Sequence, residues 1–121
     1  MTWEYAAEVI RVVDGDTVIL TVRKELDFGF YVRQTQTYTN SFRLVGIDAP
    51  ETRGVNADVI AAKLATSRLV ELLASGAIRA VTYKSDSFGR WLVDLYVLQQ
   101  DGTDLHVNQA LIDEGLAKPY P

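Results

Sequence analysis

Apolar and polar positions change their period along the chain, and each change marks an element. Between Ala7 and Val22 the stretch AEVIRVVDGDTVILTV places two β-branched runs on either side of Asp14-Gly15-Asp16, which is turn chemistry between strands and predicts a hairpin. Arg23 to Ser41 is different: Phe28, Gly29, Phe30 and Tyr31 lead into the Thr-rich QTQTYTN, with strand-like alternation but little apolar content. This predicts an extended hairpin or long loop, at about 23–41, projecting from the body. Phe42 to Ile47 (FRLVGI) reads as a core strand that Pro50 closes, with Arg43 and Asp48 near its two ends. From Asn56 to Ala74 the period lengthens, and Val59, Ala62, Leu69, Leu72 and Leu73 recur at helical steps. Asn56 is the expected N-cap of this long helix, and Gly76 after Ser75 its expected left-handed stop.

Strand patterns resume at Ile78 to Tyr83 and at Trp91 to Leu98, with Ser85 to Gly89 as the turn between them. Asp101-Gly102 marks a further turn. A short helix fits Val107 to Glu114, with Val107, Ala110 and Leu111 on one face and Gly115 as its stop. Five short strands, a long helix after the third and a short C-terminal helix predict a mainly β fold: a partly open Greek-key barrel of the OB type. At 121 residues this is one expected domain over 1–121, without repeats or low-complexity tracts.

Composition narrows the function. The apolar fraction of 48% and charged fraction of 23% are ordinary for a globular chain with a buried core. Without cysteine there is no disulfide framework, thiolate metal site or cysteine nucleophile. No apolar run approaches the ~20 residues of a membrane span. The start, Met1-Thr2-Trp3-Glu4-Tyr5, lacks the basic and apolar regions of a signal peptide, so a cytoplasmic location is expected unless a leader was trimmed. A net charge of −4 argues against a protein that coats nucleic acid through a broad basic surface. Attraction to a nucleic acid would have to be local.

Two acidic clusters, Asp14-Gly15-Asp16-Thr17 and Asp48-Ala49-Pro50-Glu51, lie beside apolar strands. Carboxylates gathered at strand ends repel unless a cation neutralises them, and hard oxygen ligands suit Ca²⁺ or Mg²⁺. Each cluster alone also reads as turn punctuation. Arg43, inside an apolar strand, requires an anionic partner, which a structural salt bridge would supply equally well. Arg90, at the mouth of a turn after Phe88-Gly89, reads in isolation as a solvated arginine. Together, two arginines and three carboxylates are the groups that phosphoryl chemistry needs: metal ligands, a water-activating base and planar cations.

The chain resembles the thermonuclease or staphylococcal nuclease-like family. The resemblance is carried by VVDGDTV (Val12 to Val18), FRLVGIDAPE (Phe42 to Glu51), FGR (Phe88 to Arg90) and VNQALIDEGLAK (Val107 to Lys118), in the family's order. It implies that Asp16 and Asp48 are calcium-binding carboxylates and that Ala49 lends a backbone carbonyl where the family has threonine. It further implies that Glu51 orients or deprotonates the attacking water, that Arg43 and Arg90 hold the phosphate and stabilise the transition state, and that Asp14 is an outer acid beside the metal. The implied activity is calcium-dependent hydrolysis of phosphodiester bonds in DNA and RNA, single strands preferred, by attack of water on phosphorus to leave 3′-phosphate ends. A catalytically weak OB-fold binding module for nucleic acid is the alternative.

The chain departs from the family in several places. The 23–41 segment replaces a tight turn; its Phe28, Phe30, Tyr31, Tyr38 and Arg33 could stack on bases and touch phosphates, or form a satellite core or a dimer contact. Phe88 stands where the family often has a tyrosine beside the nucleotide, and Tyr120 is the expected second aromatic wall. His106, the single histidine, is expected at the surface or as a helix cap, and Trp3 and Trp91 as packing residues.

Overall fold

Strand β1 (Trp3–Asp14) is long enough to serve two neighbours: it pairs antiparallel with β2 (Thr17–Gly29) on one side and with β5 (Ile78–Tyr83) on the other. Register shifts between Val9 and Arg11 and between Val12 and Asp14 bend it, as bulges do, and turn the sheet toward closure. Strand β3 (Val32–Leu44) pairs with β2, and β6 (Trp91–Leu98) with β5. The ring then closes through a parallel pairing of β3 with β6, Phe42 opposite Trp91 and Leu44 opposite Val93. The result is a closed five-stranded ring, an OB-fold-like barrel. This is a computed structural model, and it describes residues 3–51, 58–83 and 91–120.

Inward positions alternate with outward ones: Val18 and Leu20 from β2, Phe42 and Leu44 from β3, and Val93, Leu95 and Val97 from β6 are buried. Helix α1 (Val59–Leu73) contributes Ala62, Ala65, Leu69, Leu72 and Leu73 to the buried set, whereas Val59, expected on that face, is exposed. Its cap is Asp58, whose side chain accepts the Ala61 N–H at 3.0 Å; Asn56, expected in that role, lies outside the described residues. Gly76 does not adopt the left-handed stop. It is glycine for space: a Cβ there would lie 2.1 Å from the Leu98 carbonyl oxygen.

The apolar stretch Phe42 to Ile47 is not one strand. β3 ends at Leu44, and Gly46, at φ +80°, turns the chain into the short β4 (Ile47–Asp48). β4 pairs with the terminal β8 (Lys118–Pro119). A strand absent from the sequence reading, β7 (Asp104–His106), extends the sheet at β6 and leads directly into α2 (Val107–Asp113). Three residues recur too briefly to show a period. His106 sits at the N-cap position of α2 but makes no side-chain cap bond; its Nε2 lies 2.7 Å from Asp94 and its ring stacks on Tyr96.

The 23–41 segment is a hairpin, not a loop. β2 and β3 stay in register from Thr17 opposite Arg43 to Asp27 opposite Arg33, and beyond Arg23 the pair has left β1 behind. A two-stranded ribbon thus projects from the barrel, turning at Phe30 and Tyr31. No described helix is long and apolar enough to cross a membrane.

Candidate active site

The site forms where the β1–β2 turn meets the β3–β4 corner. Asp16 leads into β2, and its backbone carbonyl accepts the Leu44 N–H at 2.8 Å, so the turn is tied to the end of β3. Its side chain is held twice: Oδ1 accepts the Thr17 hydroxyl at 3.0 Å, and Oδ2 accepts the Ala49 N–H at 3.0 Å. Gly15 permits this closeness. A Cβ there would lie 2.8 Å from Ala65 Cβ and 2.9 Å from Ala49 Cβ, so any larger residue would push the turn off the helix and the Ala49 strand end.

Arg43 faces Thr17 across β2 and β3, on the side opposite the buried Phe42. Its guanidinium reaches both acids with one nitrogen, 3.8 Å from Asp16 Oδ2 and 3.7 Å from Asp48 Oδ1. The Arg43 and Asp16 side chains are only 11% and 14% exposed, while Asp48 is 52% exposed. Attraction is therefore poorly screened on one side of the site, and the other opens to solvent. At these distances the pairs are ionic contacts, too long for hydrogen bonds. These carboxylates hold the cation without consuming its N–H donors. Tyr120 places its ring 4.9 Å from the guanidinium carbon, and its backbone N–H bonds to the Gly46 carbonyl at 2.8 Å. The last strand thereby fixes an aromatic face over Arg43.

The structure therefore brings Asp16, Arg43, Asp48, Ala49 and Tyr120 together. Glu51 follows three residues after Asp48 in exposed backbone, and its carbonyl accepts the Asp58 N–H at 3.2 Å, joining this segment to the start of α1. Asp14 closes β1 opposite Thr17, partly buried. Arg90 and Phe88 lie outside the described residues. Among the described residues, no three acidic or histidine side chains gather into one metal cluster. The set that could hold a hard cation is two carboxylates and the Ala49 carbonyl, which fits an ion completed by water and substrate oxygens.

Two supporting residues escaped the sequence reading. Thr17 was legible only as part of a turn, yet its hydroxyl orients Asp16. Asn108 is buried at 2% exposure, donates to the Val45 and Val93 carbonyls at 2.9 and 3.0 Å, and accepts the Leu95 N–H at 3.0 Å. It pins α2 to β6 and to the β3–β4 corner beneath the site. The signal was a polar residue beside Val107 in an otherwise apolar helix start.

Residues 41–121 match the family described as staphylococcal nuclease homologue, and the chain belongs to that family. Membership places it among nucleases and nuclease-like domains and suggests nucleic-acid binding. The match begins at Ser41, so Asp16 joins the site through the fold and not through the matched stretch. No curated protein matches the chain.

Proposed function

We propose that this chain is a calcium-dependent phosphodiesterase acting on DNA, and on RNA as a second substrate, with single strands preferred. The observation that carries the reading is the placement of Arg43, a nearly buried guanidinium between Asp16 and Asp48 with its donors not spent on either. A cation so placed can accept the charge of a phosphodiester while the two acids keep it oriented. Asp16, Asp48 and the Ala49 carbonyl would hold Ca²⁺, which supplies Lewis-acid polarisation of a phosphate oxygen and a lowered pKa for nearby water. Arg43 binds the phosphate and, with Arg90, stabilises charge on its oxygens as water arrives. Glu51 orients that water and takes its proton, and the 5′ oxygen leaves, so the product carries a 3′-phosphate. Tyr120 and Phe88 form aromatic walls for the nucleotide.

The test is cleavage of a labelled single-stranded DNA by purified protein in Ca²⁺, with a chelator as control and the product ends characterised. Calcium-dependent cleavage to 3′-phosphate ends supports the proposal. Tight binding without cleavage in any divalent cation would instead identify a binding module.

A further inference from the structure

From Thr17 opposite Arg43, β2 and β3 keep one register down the ribbon, so the outward face of the pair is continuous with the candidate active site. Side chains alternate across a strand, and moving away from Arg43 the outward pairs are Ile19 with Ser41, Thr21 with Thr39, and Arg23 with Thr37. The neighbouring β1 adds Arg11 beside Ile19 and Glu8 beside Thr21. Toward the tip the next pairs are Glu25 with Thr35 and Asp27 with Arg33. Successive outward pairs are about 7 Å apart along the strands, so Arg23 stands roughly 20 Å from Arg43.

The half of this face next to Arg43 is rich in donors. Arg11 and Arg23 are exposed, and among the described residues neither forms an ion pair. Thr21 and Thr39 share a 2.7 Å hydroxyl contact, which uses one of their two protons. Glu8 is the one acid set against the two arginines. Farther out the sign reverses: Glu25 and Asp27 outnumber Arg33, which lies 4.0 Å from Asp27. A polyanion is therefore drawn to the near half of the ribbon and turned away from the far half. The near rows hold no aromatic side chain, so they can grip a backbone but not stack a base.

Taking Arg43 as the cation that binds the phosphate under attack, we propose that the outward face from Ser41 to Arg23 carries the sugar-phosphate backbone of the same single strand beyond the cleavage point. Arg11 and Arg23 each pair with a phosphate, and the Ser41, Thr39 and Thr37 hydroxyls donate to phosphate and sugar oxygens between them. The strand leaves the ribbon at Glu25, where the face turns acidic. Together with the site, a track of about 20 Å holds roughly four nucleotides, the short end of what one OB-type barrel covers. Contact is to the backbone alone, so the grip is indifferent to base sequence and weakens with salt. It also reconciles nucleic-acid binding with a net charge of −4, because the attraction is confined to one face.

The test measures binding of a fluorescent oligothymidylate of roughly ten nucleotides by anisotropy in chelator over a series of salt concentrations, with a thymidine dinucleotide as competitor. Cleavage of the same oligomer in Ca²⁺ is followed in parallel. Arg11→Ala and Arg23→Ala are each expected to weaken oligomer binding by about two- to five-fold, the scale of an exposed ionic contact. Each also lowers the slope of log affinity against log salt by about 0.7, the loss of one phosphate contact on a single strand. Neither changes the affinity for the dinucleotide or the cleavage rate at saturating oligomer. Arg33→Ala removes the same charge from the far half and leaves binding as in the parent. Equal losses in all three variants would mean overall charge, and unchanged binding in Arg11→Ala and Arg23→Ala would mean a strand that runs elsewhere; either overturns the proposal, with cleavage in Ca²⁺ still observed. A parent that does not bind the oligomer in chelator overturns it as well. The arginine effects without cleavage overturn the phosphodiesterase reading instead and leave the track as the surface of a binding module.

Discussion

Asp16 accepts the backbone N–H of Ala49 across 33 residues of sequence, at 3.0 Å, and so fastens the first turn of the barrel to the segment that carries Asp48. The same carboxylate pairs with Arg43. One side chain thereby does structural and electrostatic work, and the two can be separated. Asp16→Asn retains an oxygen that accepts from Ala49 but removes the charge. We expect its melting temperature to stay within a few degrees of the parent, while cleavage falls by about 10² or more, as for loss of an electrostatic group in an active site. Asp16→Ala should lose both. Thermal melts beside cleavage rates check this, and an active Asp16→Asn would remove Asp16 from the chemistry.

Gly15 lets Asp16 reach its position. Gly15→Ala puts a methyl group within 3 Å of both Ala65 and Ala49. Overpacking of this kind costs about 1–3 kcal/mol. Urea unfolding should show that loss, with activity measured under folded conditions reduced as well, because the displaced turn carries Asp16. Unchanged stability would mean that the turn has room to move.

Asn108 satisfies three buried backbone groups. Asn108→Leu fits the volume but leaves the Val45 carbonyl and the Leu95 N–H without these partners, while the Val93 carbonyl keeps the Val45 N–H at 2.9 Å, and each buried unsatisfied group costs about 1–3 kcal/mol. The expected drop in unfolding free energy is roughly 2 kcal/mol or more by the same scale, a large fraction of the ~5–15 kcal/mol of an ordinary domain. A variant as stable as the parent would contradict the role assigned to this residue.

Tyr83 donates its phenol to Asp94 at 2.5 Å, and Asp94 also meets His106. The hydrogen bond to Asp94, reinforced by burial and by the nearby negative charge, pushes the Tyr83 phenol up to about 12. The folded value is above the unfolded one of about 10, so this contact stabilises the fold fully below pH ~10 and is lost as pH rises through ~12. Tyrosinate absorbance compared between the parent and Tyr83→Phe should show the missing transition at the high end. A missing transition near the ordinary phenol value would contradict the bond.

Much of this arrangement was legible in the sequence because it rests on local period. β5 and β6 begin and end where alternation does, at Ile78 and Tyr83 and at Trp91 and Leu98. The Asp14-Gly15-Asp16 turn and the α2 face of Val107 and Leu111 were equally plain. What escaped was decided by tertiary approach. Gly46 looks like a small residue within an apolar run, and only the pairing of β4 with β8 explains why the chain turns there. Gly76 looks like a helix stop but is fixed by the Leu98 carbonyl. Asp16, Arg43 and Asp48 could each be explained as ordinary turn or salt-bridge residues. Their meeting at one guanidinium depends on three strand ends converging, which no single window of sequence contains.

The central claim, that this meeting point hydrolyses phosphodiesters, is tested most directly by single-turnover cleavage of single-stranded DNA in Ca²⁺ by the parent protein and by Glu51→Gln and Arg43→Lys. The account predicts cleavage by the parent, and losses of about 10² or more in each variant while DNA is still bound by Glu51→Gln. Equal cleavage by all three proteins, or none by the parent, would contradict it.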